Sequence, residues 1–120
     1  MSKNFTCNNG GFQITFENGL TASVQWRSGN YCDNYSSPFT NAFQESNTAE
    51  VAVFDTAGEF VNMDYFYNGN NDGEVAGFLS PEDVAEFLYK VSSFDTAKNE
   101  EYRNSFDNLF EDVREWFEIL

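Results

Sequence analysis

The chain has 120 residues, with 20 Asp and Glu against 6 Lys and Arg, no His and a formal net charge of −14. That length fits a single domain over 1–120. The charge repels phosphate backbones and anionic leaflets, so direct nucleic-acid binding and membrane binding are not expected; the fitting partner is cationic, a basic protein surface or a metal ion.

Phe outnumbers Leu almost three to one, so the core is expected to be built on aromatic rings, which bury much area at low side-chain entropy cost. The missing His removes Ser-His-Asp and Cys-His catalysis, and His-ligated zinc with them. Cys7 and Cys32 are the two cysteines, too few for a CxxC motif or a four-cysteine site. The start Met1-Ser2-Lys3-Asn4 is polar and no apolar run follows, which predicts a cytoplasmic chain with two free thiols and without a signal peptide. No run approaches the length of a membrane-spanning helix.

The first predicted element is a hairpin over 12–26. Phe12, Ile14 and Phe16 alternate with polar residues, as do Leu20, Ala22, Val24 and Trp26. A two-residue turn at Asn18-Gly19 would pair Phe16 with Thr21 and mix the faces. A three-residue turn pairs Phe16 with Leu20, Ile14 with Ala22 and Phe12 with Val24, so the expected connection is a type I turn with Gly19 in a left-handed bulge.

Residues 27–48 are polar and irregular, a long connection of the kind that often carries function. Arg27, Asn30, Tyr31, Asp33 and Tyr35 supply a cation, amides and aromatic rings just after Trp26, which suits a small-ligand loop; rings that simply cover the sheet are the ordinary alternative. Cys32 is not expected to be a nucleophile, because Asp33 disfavours its thiolate and no His accepts the proton.

A second hairpin is predicted over 49–67, turning at Thr56-Ala57-Gly58 and pairing Val53 with Val61, Val51 with Met63 and Phe54 with Phe60. Asn68-x-Asn70-x-Asp72-Gly73 is spaced like half a calcium loop, but the twelfth position is Leu79 where a Glu is needed, so a plain turn is expected and no metal or cofactor. Asp55, Asp64, Asp72 and Glu74 include chance carboxylate pairs but no recognisable acid–base couple, so the chain is expected not to be an enzyme. A short strand follows over 74–79.

Ser80-Pro81-Glu82-Asp83 is a helix start: a cap, a proline suited to the first turn and acids at the positive end. Val84, Phe87, Leu88 and Val91 form one face of that helix. A second helix is expected after Thr96, with Tyr102, Phe106, Leu109, Phe110, Val113, Trp116 and Phe117 as its apolar stripe. Strands followed by helices give an α+β class: an antiparallel sheet with two C-terminal helices on one face, the stripe 102–117 covering Phe12, Ile14, Phe16, Val24 and Trp26.

On the last helix Asp107, Glu111 and Glu115 fall at successive one-turn spacings, beside Asp112 and Glu118. Each like pair costs a few tenths of a kcal/mol, so a helix built for stability alone would alternate signs. A carboxylate row spaced by about 5–6 Å resembles the phosphates of a nucleic-acid strand, which suggests a decoy or a docking face; a solvated helix face is the plainer reading.

The stretches Gly11–Gly19, Ser23–Trp26, Gly29–Asp33, Ala49–Asp55 and Gly77–Val84 resemble small acidic proteins encoded by bacteriophages. The resemblance implies expression in a bacterial host cytoplasm and an anti-defence role: inhibition of a basic host protein through nucleic-acid mimicry or charge-complementary docking, or sequestration of a signal nucleotide. The expected function is therefore inhibition of a nucleic-acid-processing defence factor. Small-molecule binding by the 27–36 loop is the second reading, and a structural homo-oligomer the third.

Overall fold

The computed structural model describes residues 3–37 and 45–99. Strands β1 (Asn4–Asn8), β2 (Gly11–Thr15), β3 (Thr21–Gln25), β4 (Ala49–Phe54) and β5 (Val75–Leu79) lie side by side in chain order. All neighbours are antiparallel, and helix α1 (Pro81–Ser93) packs on β3, β4 and β5. The coarse α+β expectation is met; the predicted second helix lies outside the described residues, and so does its acidic face.

The β2–β3 turn has the predicted register. Phe12 faces Val24 and Ile14 faces Ala22. Phe16 N–H donates to Leu20 O at 2.9 Å, and Gly19 takes φ +91°, the left-handed conformation that closes a three-residue turn at low cost. Asn18 in that turn does more than turn the chain. Its Oδ1 accepts from Leu20 N–H, while Nδ2 donates to the carbonyls of Val91 and Phe94 at 2.8 and 3.0 Å. One amide thus fixes the hairpin and satisfies the C-terminal end of α1, where helix carbonyls lack partners.

Apolar rows cross the sheet: Phe12–Val24–Val51–Ala76 and Ile14–Ala22–Val53. Val24, Val51, Val53, Leu79, Phe87 and Val91 are buried together, with Phe12, Phe16, Trp26, Val84 and Leu88 packed around them. The predicted inward face of the first hairpin is thus covered in part by α1. The start of α1 is the predicted one: Ser80 accepts from Asp83 N–H, Asp83 reciprocates at the cap, and Pro81 occupies the first turn. Ser23 and Gln25, on the opposite sheet face, are buried instead of solvated; Gln25 lies over Gly11, where any Cβ would strike it.

Two expectations need correction. β1 was not anticipated; it pairs with β2 across the two-residue turn Asn9-Gly10, with Gly10 at φ +79°. The 49–67 hairpin is only half formed. Phe54 bridges Phe60, and Val61 N–H donates to Val53 O at 2.8 Å, as expected. The predicted pairing of Val51 with Met63 does not occur, because β5 takes that half of β4, with Val51 facing Ala76. Asn62 Oδ1 accepts from Asp64 N–H and turns the chain into a short 3-10 helix, Met63–Tyr65. Met63 and Phe66, three residues apart, are both buried by that turn, which a straight strand would not do, since positions three apart point to opposite faces.

Candidate binding surface

The connection leaving β3 folds back across the end of β4 to reach β5. Most of its polar side chains are spent holding that path. Asn30 Oδ1 accepts from Arg27 N–H at 3.0 Å, and its amide donates to Glu50 Oε1. Glu50 Oε2 accepts from Tyr31 N–H at 2.8 Å. Asp33 and Thr48 exchange two bonds of 2.9 Å, and Arg27 reaches Asn9 O. Asn34 donates to the carbonyls of Trp26 and Glu45. Cys32 is buried in the middle of the loop; burial pushes its thiol above the ordinary value, and the nearby carboxylates of Glu50 and Asp33 add to that. This is the opposite of nucleophile activation.

Of the five residues singled out in this loop, Arg27, Asn30 and Asp33 therefore build it. Tyr31 and Tyr35 remain turned outward, 47 and 51 % exposed, with rings stacked nearly parallel at 5.8 Å.

Beside them stands Phe78, which composition and spacing did not single out. The β4–β5 register shifts between Ala49 and Val51, placing an extra residue in β5. Phe78 takes φ +61°, the one positive φ at a non-glycine position among the described residues. A side chain there costs roughly 1–2 kcal/mol. Its ring is also 54 % exposed, so burial gives little in return. Phe78 N–H donates to Tyr31 O at 2.9 Å, and Gly77 lies so close that an added Cβ would meet Tyr31 Cβ and O. The bulge thus locks the loop backbone to β5 and presents Phe78 next to Tyr31. The readable signal was the glycine inside a strand pattern, which often marks a bulge or a close backbone approach.

Tyr31, Gly77 and Phe78 line a cleft of about 290 Å³ together with Val75 and with Asn70, Asn71 and Asp72. Asn70, Asn71 and Asp72 belong to the turn-rich segment spaced like half a calcium loop. Asn71 bonds Asp64, Tyr67 O and Gly69 O, and accepts from Gly73 N–H. Asp72 Oδ1 accepts from Glu74 and Val75 N–H, and these backbone donors, Val75 first, hold its carboxyl below the ordinary value. Asp72 is thus ionised at neutral pH and exposed. Among the described residues no group of three or more acidic or Cys side chains is placed to hold a metal ion.

A second, more apolar concavity of about 380 Å³ lies between Phe12, Trp26 and the first turn of α1. Its lining joins core side chains to the polar 45–48 segment. The acidic set Asp107, Glu111, Asp112, Glu115 and Glu118 lies outside the described residues. No family model, curated protein or solved structure matches the chain.

Proposed function

We propose that the protein is a non-enzymatic docking protein that binds and inhibits a basic protein. The observation that carries this is where its carboxylates stand. The described residues contain 13 Asp and Glu against 4 Lys and Arg, and none of those acids is buried. One ion pair is found among them, Glu86 with Lys90 at 3.1 Å. No Lys or Arg occurs between Arg27 and Lys90. Acidic charge that does not neutralise internal cations produces an outward field that steers a cationic partner. The C-terminal acids Asp107, Glu111, Asp112, Glu115 and Glu118 extend the same charge along the sequence.

The resemblance to acidic phage proteins supports a bacterial cytoplasmic setting and a nucleic-acid-processing defence factor as the partner. Among the described residues no helix is long and apolar enough to cross a membrane. Small-ligand binding by the 27–36 loop is the weaker reading, because Arg27, Asn30 and Asp33 are engaged in holding the loop itself.

The test is capture from bacterial lysate across a salt series, using the parent chain and a variant with Asp107, Glu111 and Glu115 all changed to Gln. The expected result is a basic protein that elutes with salt and binds the variant more weakly with a flatter salt dependence, since attraction between separated surfaces is screened over about 8–10 Å at physiological salt. Capture that is equal for both chains at every salt concentration removes the C-terminal acids from the reading. Capture that is indifferent to salt overturns charge-driven docking.

A further inference from the structure

We propose that the cleft between Tyr31, Phe78 and Asp72 is a receptor for one arginine side chain of the basic partner. The inference rests on the docking function above and gives it a specific contact.

Three observations converge here. Two exposed rings, Tyr31 and Phe78, line one cleft, and Tyr35 backs Tyr31 at 5.8 Å. Asp72, whose carboxyl is held in the ionised form by backbone donors, is a lining residue of the same cleft. No cation lies within the sequence from 28 to 89 that builds it, so an incoming positive charge meets no repulsion from its own walls. Ring faces are electron-rich and attract cations. A guanidinium is planar, stacks on rings and pairs with a carboxylate through two N–H groups, whereas a lysine ammonium is a strongly hydrated point charge that does neither as well.

The site is also held rigid. Glu50 fixes Tyr31 N–H, Phe78 N–H is bonded to Tyr31 O, and Asp72 is fixed by two backbone donors. A rigid site loses less entropy on binding. Phe78 is the part that fold stability does not call for, being both strained and exposed, and a ring retained under those conditions fits a contact made outside the chain. A second copy of this chain is a poor occupant, since each copy carries −14.

The probe is the capped tripeptide acetyl-Gly-Arg-Gly-amide, compared with the same peptide carrying Lys or the neutral isostere citrulline. Binding is followed by amide NMR shifts of the full chain. The expected result is shifts centred on Tyr31, Asp72 and Phe78, with the citrulline peptide weaker by about tenfold or more and the lysine peptide between them. Asp72→Asn, whose amide oxygen still accepts the turn bonds, and Phe78→Gly, which suits the backbone, each weaken the Arg peptide by about tenfold, while Phe78→Tyr stays within about threefold.

Equal binding of Arg and citrulline, shifts centred elsewhere, or variants that bind like the parent overturn the proposal. So do shifts at Phe78 that depend on protein concentration without peptide, which would mark a self-contact. The basic protein captured from lysate separates the two levels. Undiminished capture by Phe78→Gly and Asp72→Asn overturns the arginine receptor and leaves docking standing, whereas a parent chain that captures no basic protein overturns docking itself.

Discussion

Phe78 places conformational cost and solvent exposure on the same residue. Replacing it by glycine removes a Cβ from φ +61° while adding chain freedom to the unfolded state, so Phe78→Gly is expected to hold stability or raise it by roughly 0.5–1 kcal/mol. Urea denaturation checks this; a loss of more than about 1 kcal/mol would mean that the ring contributes packing its exposure does not suggest. Asn18 is the opposite case, a turn residue on which distant elements depend. Asn18→Ala removes two donations to α1 carbonyls and one acceptance from Leu20, and is expected to cost about 2–3 kcal/mol by the same measurement. Asn18→Asp keeps the Leu20 bond but sets a negative charge against the carbonyl end of a helix, so it should rescue little. Asp72 carries a pH signature. Its folded carboxyl is held below 3.8 by backbone donors, so its contribution is fully present above that value and is lost as pH falls through the lower folded value. The stability gap between the parent and Asp72→Asn is therefore expected to be constant near neutral pH and to close as the pH falls below 3.8. A gap that does not change with pH would show that the carboxylate's charge adds nothing to the turn.

The element that organises the site is the contact between the 27–37 loop and the bulged strand β5. It depends on Gly77, because any larger residue brings a Cβ onto Tyr31 Cβ and O, and the carbonyl is backbone that is already accepting from Phe78. Gly77→Ala is expected to lower stability by roughly 1–3 kcal/mol and to loosen the loop. Cys32 reports on that loosening. Cys7 on β1 is exposed and Cys32 is buried, and the two are unpaired. In the native parent a thiol reagent should modify Cys7 readily and Cys32 only through opening; in Gly77→Ala, Cys32 labelling should accelerate while Cys7 keeps its rate. Equal Cys32 rates in both chains would mean that the loop is held by its Glu50 and Thr48 bonds alone. β1 shows a different constraint. Phe5 and Cys7 alternate with polar residues, but the run holds only these two apolar positions and both are exposed, so Asn9-Gly10 is the stronger mark of the turn that pairs it.

Across the molecule the acids serve the fold as hydrogen-bond acceptors, as Asp33, Glu50, Asp72 and Asp83 do, and hardly at all as ion-pair partners. The described acids sit at the surface and α1, the strands and their turns do not need them as ion-pair partners, Glu86–Lys90 excepted. Changing Asp107, Glu111 and Glu115 to Gln is accordingly expected to leave the thermal midpoint unchanged or slightly higher, because like charges spaced four apart in the sequence are removed, even as partner binding weakens. A clear fall in the midpoint would show that those carboxylates serve the fold. The β2–β3 hairpin with its register, the Thr56-Ala57-Gly58 turn, and the start and buried face of α1 are legible in the residues alone. Each of these is a local matter: period, turn chemistry or capping. Which segment pairs with the N-terminal half of β4 is settled by packing across the sheet. Residues 59–67 and 74–79 both carry strand patterns, and β5 takes the edge because a 3-10 turn buries Met63 and Phe66 together. The tertiary structure alone also decided that Tyr31 and Phe78 share a cleft with Asp72. That meeting joins positions more than 40 apart through a bulge and a backbone hydrogen bond, and neither the period of a strand nor the composition of a loop encodes a contact of that range.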